Sequence, residues 1–194
     1  MPRSLLCLVR HGETDWNREG RLQGVQDTPL NPRGRDQAAA AGRLLATVHP
    51  EVAGFAFVAS PLVRTRTTME LMRAAMGLAP TEYRLDDRLK ELTFGRWEGM
   101  TLAELKRHDP VGAAAREADK WGFVPPGGES YAMLSDRIAG WLGGIHEPTV
   151  AVSHGGVARV LLGLLGGVAK IDLPTLEITQ GRVLVFEAER YRWV

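Results

Sequence analysis

Three short apolar runs of this chain each end in polar residues of a similar kind. The runs span residues 5–9, 55–59 and 149–152, and the residues that follow them are Arg10-His11-Gly12, Ser60-Pro61 and Ser153-His154-Gly155. Longer segments with helical spacing of apolar residues separate the runs, which is typical of β-α-β units around a mostly parallel sheet. The carboxyl ends of parallel strands share one edge of a sheet, where ligands bind, so we expect these strand ends to meet.

Several helices have recognisable starts. Asn31-Pro32 and Ser60-Pro61 each pair an N-cap residue with a proline at the first helical position. A third helix is predicted after Ser130, and a fourth, buried one over residues 155–165. Residues 101–126 have the weakest pattern, and we expect them to form a short helix and a loop over one end of the sheet.

Two regions predict additional strands. A short edge strand is expected near residues 81–85, and Gly181 is expected to turn between two late strands, the second over residues 182–187. The sequence therefore predicts an α/β protein with a mostly parallel central sheet.

Composition restricts the class of protein. The 194 residues include 24 Lys and Arg against 23 Asp and Glu, a net charge of +1. This balance predicts neither nucleic acid nor a membrane as a partner. The single cysteine, Cys7, excludes a disulfide framework, and the longest stretch without a charged residue, 52–63, is too short to span a bilayer. We expect one cytoplasmic domain over residues 1–194.

Arg64 falls in the first turn of the helix predicted after Ser60-Pro61. A cation at a helix N-terminus is disfavoured by the helix dipole, by about 0.3–1 kcal/mol. A bound anion reverses that sign, because helix N-termini and arginine forks both hold phosphate. Together with Arg10, His11 and His154 at the strand ends, Arg64 predicts a site for a dianion such as phosphate.

A longer set of residues around these positions forms an ordered pattern. In chain order it comprises Arg10-His11-Gly12-Glu13-Thr14-Asp15-Trp16-Asn17, Arg21-Leu22-Gln23-Gly24, Asp27, Pro29-Leu30, Gly34, Ser60-Pro61-Leu62, Arg64, Thr68, Asp87, Leu89, Glu91, Gly95, Trp97-Glu98-Gly99, Gly127-Gly128-Glu129-Ser130 and Ser153-His154-Gly155-Gly156. This pattern resembles the histidine phosphatase superfamily. The resemblance covers most of the chain and implies the three-layer phosphoglycerate mutase-like fold, with helices on both faces of the sheet.

The resemblance also implies a role for each matching residue. His11 is expected to accept the phosphoryl group as a phosphohistidine, and Glu91 to protonate the leaving oxygen and then activate water. His154 is expected to complete the catalytic set, while the residues expected to bind the substrate are Arg10, Asn17, Gln23, Gly24, Arg64 and Gly155. From the residues alone, Glu91 is not distinguishable from Asp87 or Glu98.

The expected reaction is metal-independent hydrolysis of small phosphorylated metabolites. No nucleotide-binding loop and no H-E-x-x-H or comparable ligand pair occurs in the chain, so we expect neither a cofactor nor a metal. A cofactor-dependent phosphoglycerate mutase is the first alternative. Such mutases are longer and carry an arginine pair in an insertion, whereas residues 101–126 offer no adjacent arginine pair, and Gln23 matches the phosphatases. A phosphate-binding protein without catalysis is the second alternative.

Three questions stay open at this level. Trp121 and Phe123 either line the pocket or anchor their own segment. Gln180 stands where many members of the superfamily have asparagine, which leaves one polar contact to the site in doubt. A homodimer through an edge strand or an exposed helix is also left open.

Overall fold

The computed structural model describes residues 4–188 and 190–194. The helices are α1 (Asp15–Arg18), α2 (Pro32–Val48), α3 (Val63–Ala75), α4 (Leu102–His108), α5 (Pro110–Ala118), α6 (Tyr131–Leu142) and α7 (Gly155–Gly166). The strands are β1 (Leu6–Arg10), β2 (Ala56–Ala59), β3 (Arg84–Leu85), β4 (Thr149–Ser153), β5 (Val183–Glu187) and β6 (Arg190–Trp193).

The six strands form one sheet in the order β3-β2-β4-β1-β5-β6. The first four strands of this order pair in parallel, whereas β5 and β6 are antiparallel to their neighbours. Arg10 lies opposite Ser153, and Ala59 lies opposite Val152. This register brings the ends of β1, β2 and β4 to one edge, so the mostly parallel sheet is confirmed.

Alternate residues of the central strands face two separate apolar clusters, because successive side chains of a strand point to opposite faces. Leu6 and Leu8 pack with residues of α6 and α7, while Cys7 and Val9 pack with residues of α2 and α3. Helices therefore cover both faces of the sheet, as the resemblance implied. Within the residues described, no helix is both long and apolar enough to cross a membrane.

The two proline-marked helix starts have different outcomes. Asn31 is the N-cap of α2, and its side chain accepts a hydrogen bond from the amide of Gly34, as predicted. The prediction for Ser60-Pro61 is wrong: α3 begins at Val63, and its N-cap, Leu62, provides no side-chain bond. The reason is that the Ser60 hydroxyl lies against the ring of His154 instead.

The late strands also differ from the prediction. No strand precedes Gly181 in the part of the chain that the structure describes around it, and the partner of β5 is β6, which follows it. The physical reason lies in two carbonyl groups: Ile178 O accepts from Arg10 and Leu176 O accepts from Arg159. One side chain from the end of β1 and one from α7 thus occupy backbone groups that a strand would have used.

Residues 101–126 contain two helices rather than the expected one. Thr101 and Glu104 form a capping box at the start of α4, and Asp109 caps α5, which has Pro110 in its first turn. The predicted edge strand at 81–85 is reduced to the two residues of β3.

Candidate active site

A cavity of about 130 Å³ opens at the carboxyl edge of the sheet. Its wall includes the predicted site residues Arg10, His11, Asn17, Gln23, Gly24, Arg64, Glu91 and Gly155. His154 lies behind this wall, fully buried, with its ring centroid 5.2 Å from that of His11. The structure thus places all nine predicted site residues at or directly behind one cavity.

His11 is held by the backbone of its own turn. Its Nδ1 lies 2.8 Å from the carbonyl oxygen of Gly12. A carbonyl oxygen only accepts hydrogen bonds, so Nδ1 carries the hydrogen and Nε2 keeps its lone pair. Burial, followed by the positive charges of Arg64 and Arg10, holds the pKa of His11 well below its usual range. The ring is therefore neutral at physiological pH, with one nitrogen able to act as a nucleophile.

The turn that carries His11 depends on close backbone packing. A Cβ on Gly12 would overlap with the carbonyl oxygen of Gly34 in the first turn of α2. The Gly12 amide donates to the hydroxyl of Thr68 on α3 at 3.1 Å. Glycine in the Arg10-His11-Gly12 sequence therefore allows β1 to end directly against two helices.

A buried arginine, Arg64, and a half-buried one, Arg10, flank the histidine, and each uses only part of its guanidinium group. Arg64 donates to the carbonyl oxygens of Gln26 and Gly24 at 2.6 and 2.7 Å. Arg10 donates to Ile178 O at 2.6 Å. Among the described residues, the buried Nε atoms of both arginines lack a hydrogen-bond partner. Buried donors of this kind are costly unless a ligand accepts from them.

Both guanidinium groups carry a positive charge, because arginine side chains keep their proton in proteins. Burial is the largest cause that lowers the pKa of Arg64 to about 10, and burial likewise lowers the pKa of Arg10. A value near 10 still leaves Arg64 protonated at neutral pH. The cavity therefore presents two positive charges beside a neutral histidine.

His154 is the N-cap residue of α7, and its Nε2 lies 2.8 Å from the hydroxyl oxygen of Ser60. Its Nδ1 is buried and has no partner in the described part of the chain. Burial and the charge of Arg64 are the main causes that lower the pKa of His154 well below its usual range. When the Ser60 hydroxyl donates to Nε2, the remaining hydrogen of the neutral ring sits on Nδ1 and is available to an anion.

Glu91 is seated at the first turn of α7. The amide of Gly156 donates to its Oε1 and Oε2 at 3.1 and 3.0 Å, and the amide of Leu92 donates to Oε1 at 3.1 Å. The segment before it is fixed by the Ser153 hydroxyl, which donates to Leu89 O at 2.7 Å. The end of β4 and the start of α7 thus set the position of this carboxylate.

Asn17 has its amide oriented by three donors. Its Oδ1 accepts from the amide and the hydroxyl of Thr14, both at 3.1 Å, and from Nε2 of Gln180 at 2.8 Å. The NH₂ group is thereby left at the cavity wall. Gln180, whose contact with the site the sequence left open, therefore contacts Asn17 at the cavity.

Gln23 and Gly24 belong to a loop that covers Arg64. Gln23 is buried and its Oε1 accepts from the hydroxyl of Thr28 at 2.5 Å. Gly24 has a φ of +51°, where glycine is favoured, and a Cβ there would overlap with Glu98. The loop is therefore built to bring the Gly24 carbonyl to Arg64.

The two aromatic residues in doubt pack within the protein. Phe123 stacks on Trp97 with centroids 5.4 Å apart, and Trp121 stacks on Tyr131 at 6.0 Å. The cavity wall contains Phe94 and Tyr131 but neither Trp121 nor Phe123. These aromatics therefore anchor residues 101–126 rather than line the site.

Sequence reasoning missed several residues that shape this site. Ser60 has the pattern of a helix cap, and the motif residues include neither Tyr131 nor Arg159, although both line the cavity. Arg159 lies five residues after His154 in the first turns of α7, and this spacing is the signal that was available. Over residues 4–188 and 190–194, no cluster of three His, Cys, Asp or Glu side chains has the proximity needed to bind a metal ion.

Comparison with known proteins identifies the family of this chain. Residues 6–194 match the family model of the histidine phosphatase superfamily, branch 1. A glucosyl-3-phosphoglycerate phosphatase of Mycolicibacterium vanbaalenii is 33% identical over 183 residues, which cover 88% of this chain and 78% of the relative. A Citrobacter koseri protein named "Probable phosphoglycerate mutase GpmB" is 38% identical over 165 residues, covering 76% of this chain and 68% of that one.

Comparison with solved structures supports the same family. The α-ribazole phosphatase from Shigella flexneri superposes with a TM-score of 0.81 at 26% identity, covering 96% of this chain and 93% of that one. The fold class is thus the phosphoglycerate mutase-like fold. With a family match over nearly its whole length and the motif residues gathered at one cavity, the chain belongs to branch 1 of the histidine phosphatase superfamily.

Proposed function

We propose that this protein is a phosphatase that hydrolyses small phosphomonoesters through a phosphohistidine on His11, with Glu91 as the general acid and base. The observation that carries the proposal is the state of His11. Its ring is neutral, its Nδ1 is fixed on Gly12 O, and its Nε2 is free beside two cationic arginines. A nucleophilic nitrogen and two positive charges are what transfer of a phosphoryl group requires.

In the first step, Nε2 of His11 attacks phosphorus while the bond from phosphorus to the ester oxygen breaks. Protonated Glu91 gives its proton to that oxygen, so the leaving group departs as an alcohol. The guanidinium groups of Arg10 and Arg64, the Nδ1–H of His154 and the NH₂ of Asn17 bind the phosphoryl oxygens. These donors stabilise the charge that the transferring group carries.

In the second step, water attacks the phosphorus of phosphohistidine. The carboxylate of Glu91 takes a proton from the water, the P–N bond breaks, and the electron pair returns to Nε2. Inorganic phosphate leaves and both catalytic groups return to their starting states. The protein's own cations supply the charge compensation, so we expect turnover without an added metal ion.

The substrate class follows from the size of the site and from the relatives. A cavity of about 130 Å³ holds a phosphate and a short organic group. The relatives described above are named for phosphatase or mutase reactions of small phosphorylated metabolites. A small phosphorylated metabolite is therefore the expected partner.

Phosphorus NMR tests the proposal directly. We would incubate the protein with 3-phosphoglycerate and several other phosphomonoesters, in the presence of EDTA and a trace of 2,3-bisphosphoglycerate. Growth of the inorganic phosphate signal is expected. Formation of 2-phosphoglycerate without free phosphate would instead make the protein a mutase, and no turnover of any ester would favour a binding protein.

The covalent step has its own variant. His11→Asn keeps an NH group near the position of Nδ1 but removes the nucleophile, so we expect a folded protein without turnover or phosphoprotein. The matched control is His49→Asn, because His49 is also buried but contacts Glu51, away from the cavity. Full activity of His11→Asn would refute the assignment of the nucleophile.

A further inference from the structure

Arg159 places a third guanidinium group at the cavity. The side chain starts in the second turn of α7 and is fixed at two points: Nε donates to Leu176 O at 2.8 Å, and Nη1 donates to the hydroxyl of Tyr131 at 3.3 Å. A Cβ on Gly155 would lie 3.4 Å from Arg159 Nη1 and 3.5 Å from Arg10 Nε. Arg159 is therefore next to the phosphate-binding arginine but on the side of Tyr131.

The surroundings of Arg159 differ from those of the other arginine at the rim. Arg21 also lines the cavity, but its charge is neutralised by Glu19 at 2.7 Å and Glu104 at 2.9 Å. Among the residues for which the structure gives side chains, no carboxylate forms an ion pair with Arg159. The guanidinium group of Arg159 thus lies at the cavity without a counter-ion from these residues.

A count of charges indicates what Arg159 binds. Arg10 and Arg64 together balance a phosphate dianion, and Glu91 is protonated and uncharged when it acts as the acid. Among the charged side chains of the cavity wall that lack an ion-pair partner in the described residues, Arg159 then leaves one positive charge in excess. A carboxylate on the substrate balances that charge, and its planar shape suits the fork of a guanidinium group.

Building on the phosphatase function proposed above, we propose that Arg159 and Tyr131 form a subsite for a carboxylate carried by the leaving group of the substrate. Tyr131 is a rigid part of this subsite. It is buried, its ring stacks on Trp121, and it starts helix α6. The preferred substrates are therefore short phosphomonoesters of hydroxy acids, with the carboxylate a few bonds from the phosphate.

Two esters that differ at one carbon test this subsite. 3-Phosphoglycerate and glycerol 3-phosphate share the phosphate and the three-carbon chain, but the first ends in a carboxylate and the second in a hydroxymethyl group. We expect wild-type kcat/KM to be about 10- to 100-fold higher for the carboxylate, the range for hydrogen bonds between charged groups. Phosphate release and 2-phosphoglycerate formation are both followed by phosphorus NMR.

Substitutions at Arg159 then separate recognition from a structural role. Arg159→Met keeps the apolar stem, and we expect it to lower kcat/KM for 3-phosphoglycerate about 10- to 100-fold while the value for glycerol 3-phosphate changes less than about threefold. Arg159→Lys keeps the positive charge but lacks the planar fork, so we expect its kcat/KM for 3-phosphoglycerate to lie between those of the wild type and Arg159→Met. Arg116→Met, on α5 and outside the cavity wall, is the control and leaves both values unchanged.

The outcomes distinguish this subsite from the phosphatase proposal. Equal wild-type rates for the two esters, or an equal loss for both in Arg159→Met, would overturn the subsite and leave the phosphatase intact. If neither ester is turned over, the phosphatase proposal fails for these substrates, and calorimetric titration of both compounds still tests the subsite. Tighter binding of 3-phosphoglycerate that is lost in Arg159→Met supports the subsite, and equal binding overturns it.

Discussion

The amide of Gly156 donates to both carboxylate oxygens of Glu91, at 3.1 and 3.0 Å. Gly156 lies three residues after the end of β4, and it thus fixes a side chain that lies 65 residues earlier in the chain. Within the part of the chain that the structure describes, this carboxylate accepts hydrogen bonds only from backbone amides, those of Gly156 and Leu92. Glu91 is accordingly held against the first turn of α7 by backbone donors.

Gly156→Ala is expected to displace Glu91. A Cβ at this position would overlap with Oε1 of Glu91 and lie 2.6 Å from Cδ2 of Leu92. We predict a fall in kcat of about 100-fold, within the range for a lost general acid, with little change in KM because Arg10 and Arg64 still bind phosphate. Steady-state kinetics with one phosphomonoester measures both constants.

The control for this substitution is another glycine within a helix. Gly140 lies on α6, and a Cβ there meets nothing within 4 Å. Gly140→Ala should leave kcat unchanged and stabilise the protein by about 0.5–1 kcal/mol. A Gly156→Ala protein with wild-type kcat would show that the seat of Glu91 is unimportant for turnover.

Ser60→Ala is expected to change which ring nitrogen of His154 carries the hydrogen. Without the hydroxyl at 2.8 Å from Nε2, the ring is free to carry its hydrogen on Nε2, which leaves Nδ1 as an acceptor that repels phosphate. Loss of a buried bond of about 1–3 kcal/mol predicts a kcat/KM about 5- to 150-fold lower. Nitrogen NMR of the imidazole reports the tautomer directly.

Thr65→Val is the matched control for Ser60→Ala. The Thr65 hydroxyl also lies buried in this turn, where it bonds to the carbonyl oxygens of Ser60 and Leu62 and does not contact His154. We expect Thr65→Val to lower thermal stability but to keep the wild-type tautomer of His154. Identical imidazole spectra for Ser60→Ala and wild type would contradict the role of Ser60.

The sequence predicted the site better than the details that support it. The sequence predicts that Arg10, His11 and His154 lie together because they follow parallel strands, and the sheet order confirms that arrangement. Only the family resemblance points to Glu91, since it lies among charged residues of similar kind. What distinguishes it is a pair of contacts, from Ser153 and Gly156 to residues 89–91, that no local pattern reveals.

Two of the wrong predictions have a common physical origin. Ser60 has the pattern of a helix cap, but its hydroxyl bonds to His154, a buried histidine that follows β4. Residues before Gly181 have the composition of a strand, but Arg10 and Arg159 take their carbonyl groups. In both cases a side chain distant in sequence competes successfully for a group that local preference assigns elsewhere.

The two buried histidines predict how stability changes with pH. Their pKa values are well below the usual range in the folded protein, whereas in the unfolded chain they take up protons near pH 6.5. The contribution of these two neutral rings to the free energy of unfolding is therefore fully present above about pH 6.5. It is lost as the pH falls from there toward the pKa values of the folded protein. The expected slope is up to about 1.4 kcal/mol per pH unit for each histidine.

Urea unfolding at pH 7.5, 6.5 and 5.5, at constant ionic strength, measures this slope. His11→Asn should reduce the fall between pH 6.5 and 5.5 by about half, because one of the two groups is gone. The exposed His146→Asn serves as the control for removal of a histidine away from the cavity. A stability that is flat over this range in the wild type would contradict the burial of two neutral rings.

Asn17 offers a substitution that separates stability from activity. In Asn17→Asp, one carboxylate oxygen keeps the three bonds from Thr14 and Gln180, while the second replaces NH₂ at the cavity wall. We expect Asn17→Asp to be at least as stable as Asn17→Ala, yet less active. Asn17→Ala should lose about 10-fold in kcat/KM, and Asn17→Asp about 100-fold or more, since its negative charge also repels phosphate.

Thermal unfolding ranks the two variants by stability, and steady-state kinetics ranks them by activity. Added salt should narrow the difference in activity. An Asn17→Asp protein more active than Asn17→Ala would show that this amide does not face the phosphate.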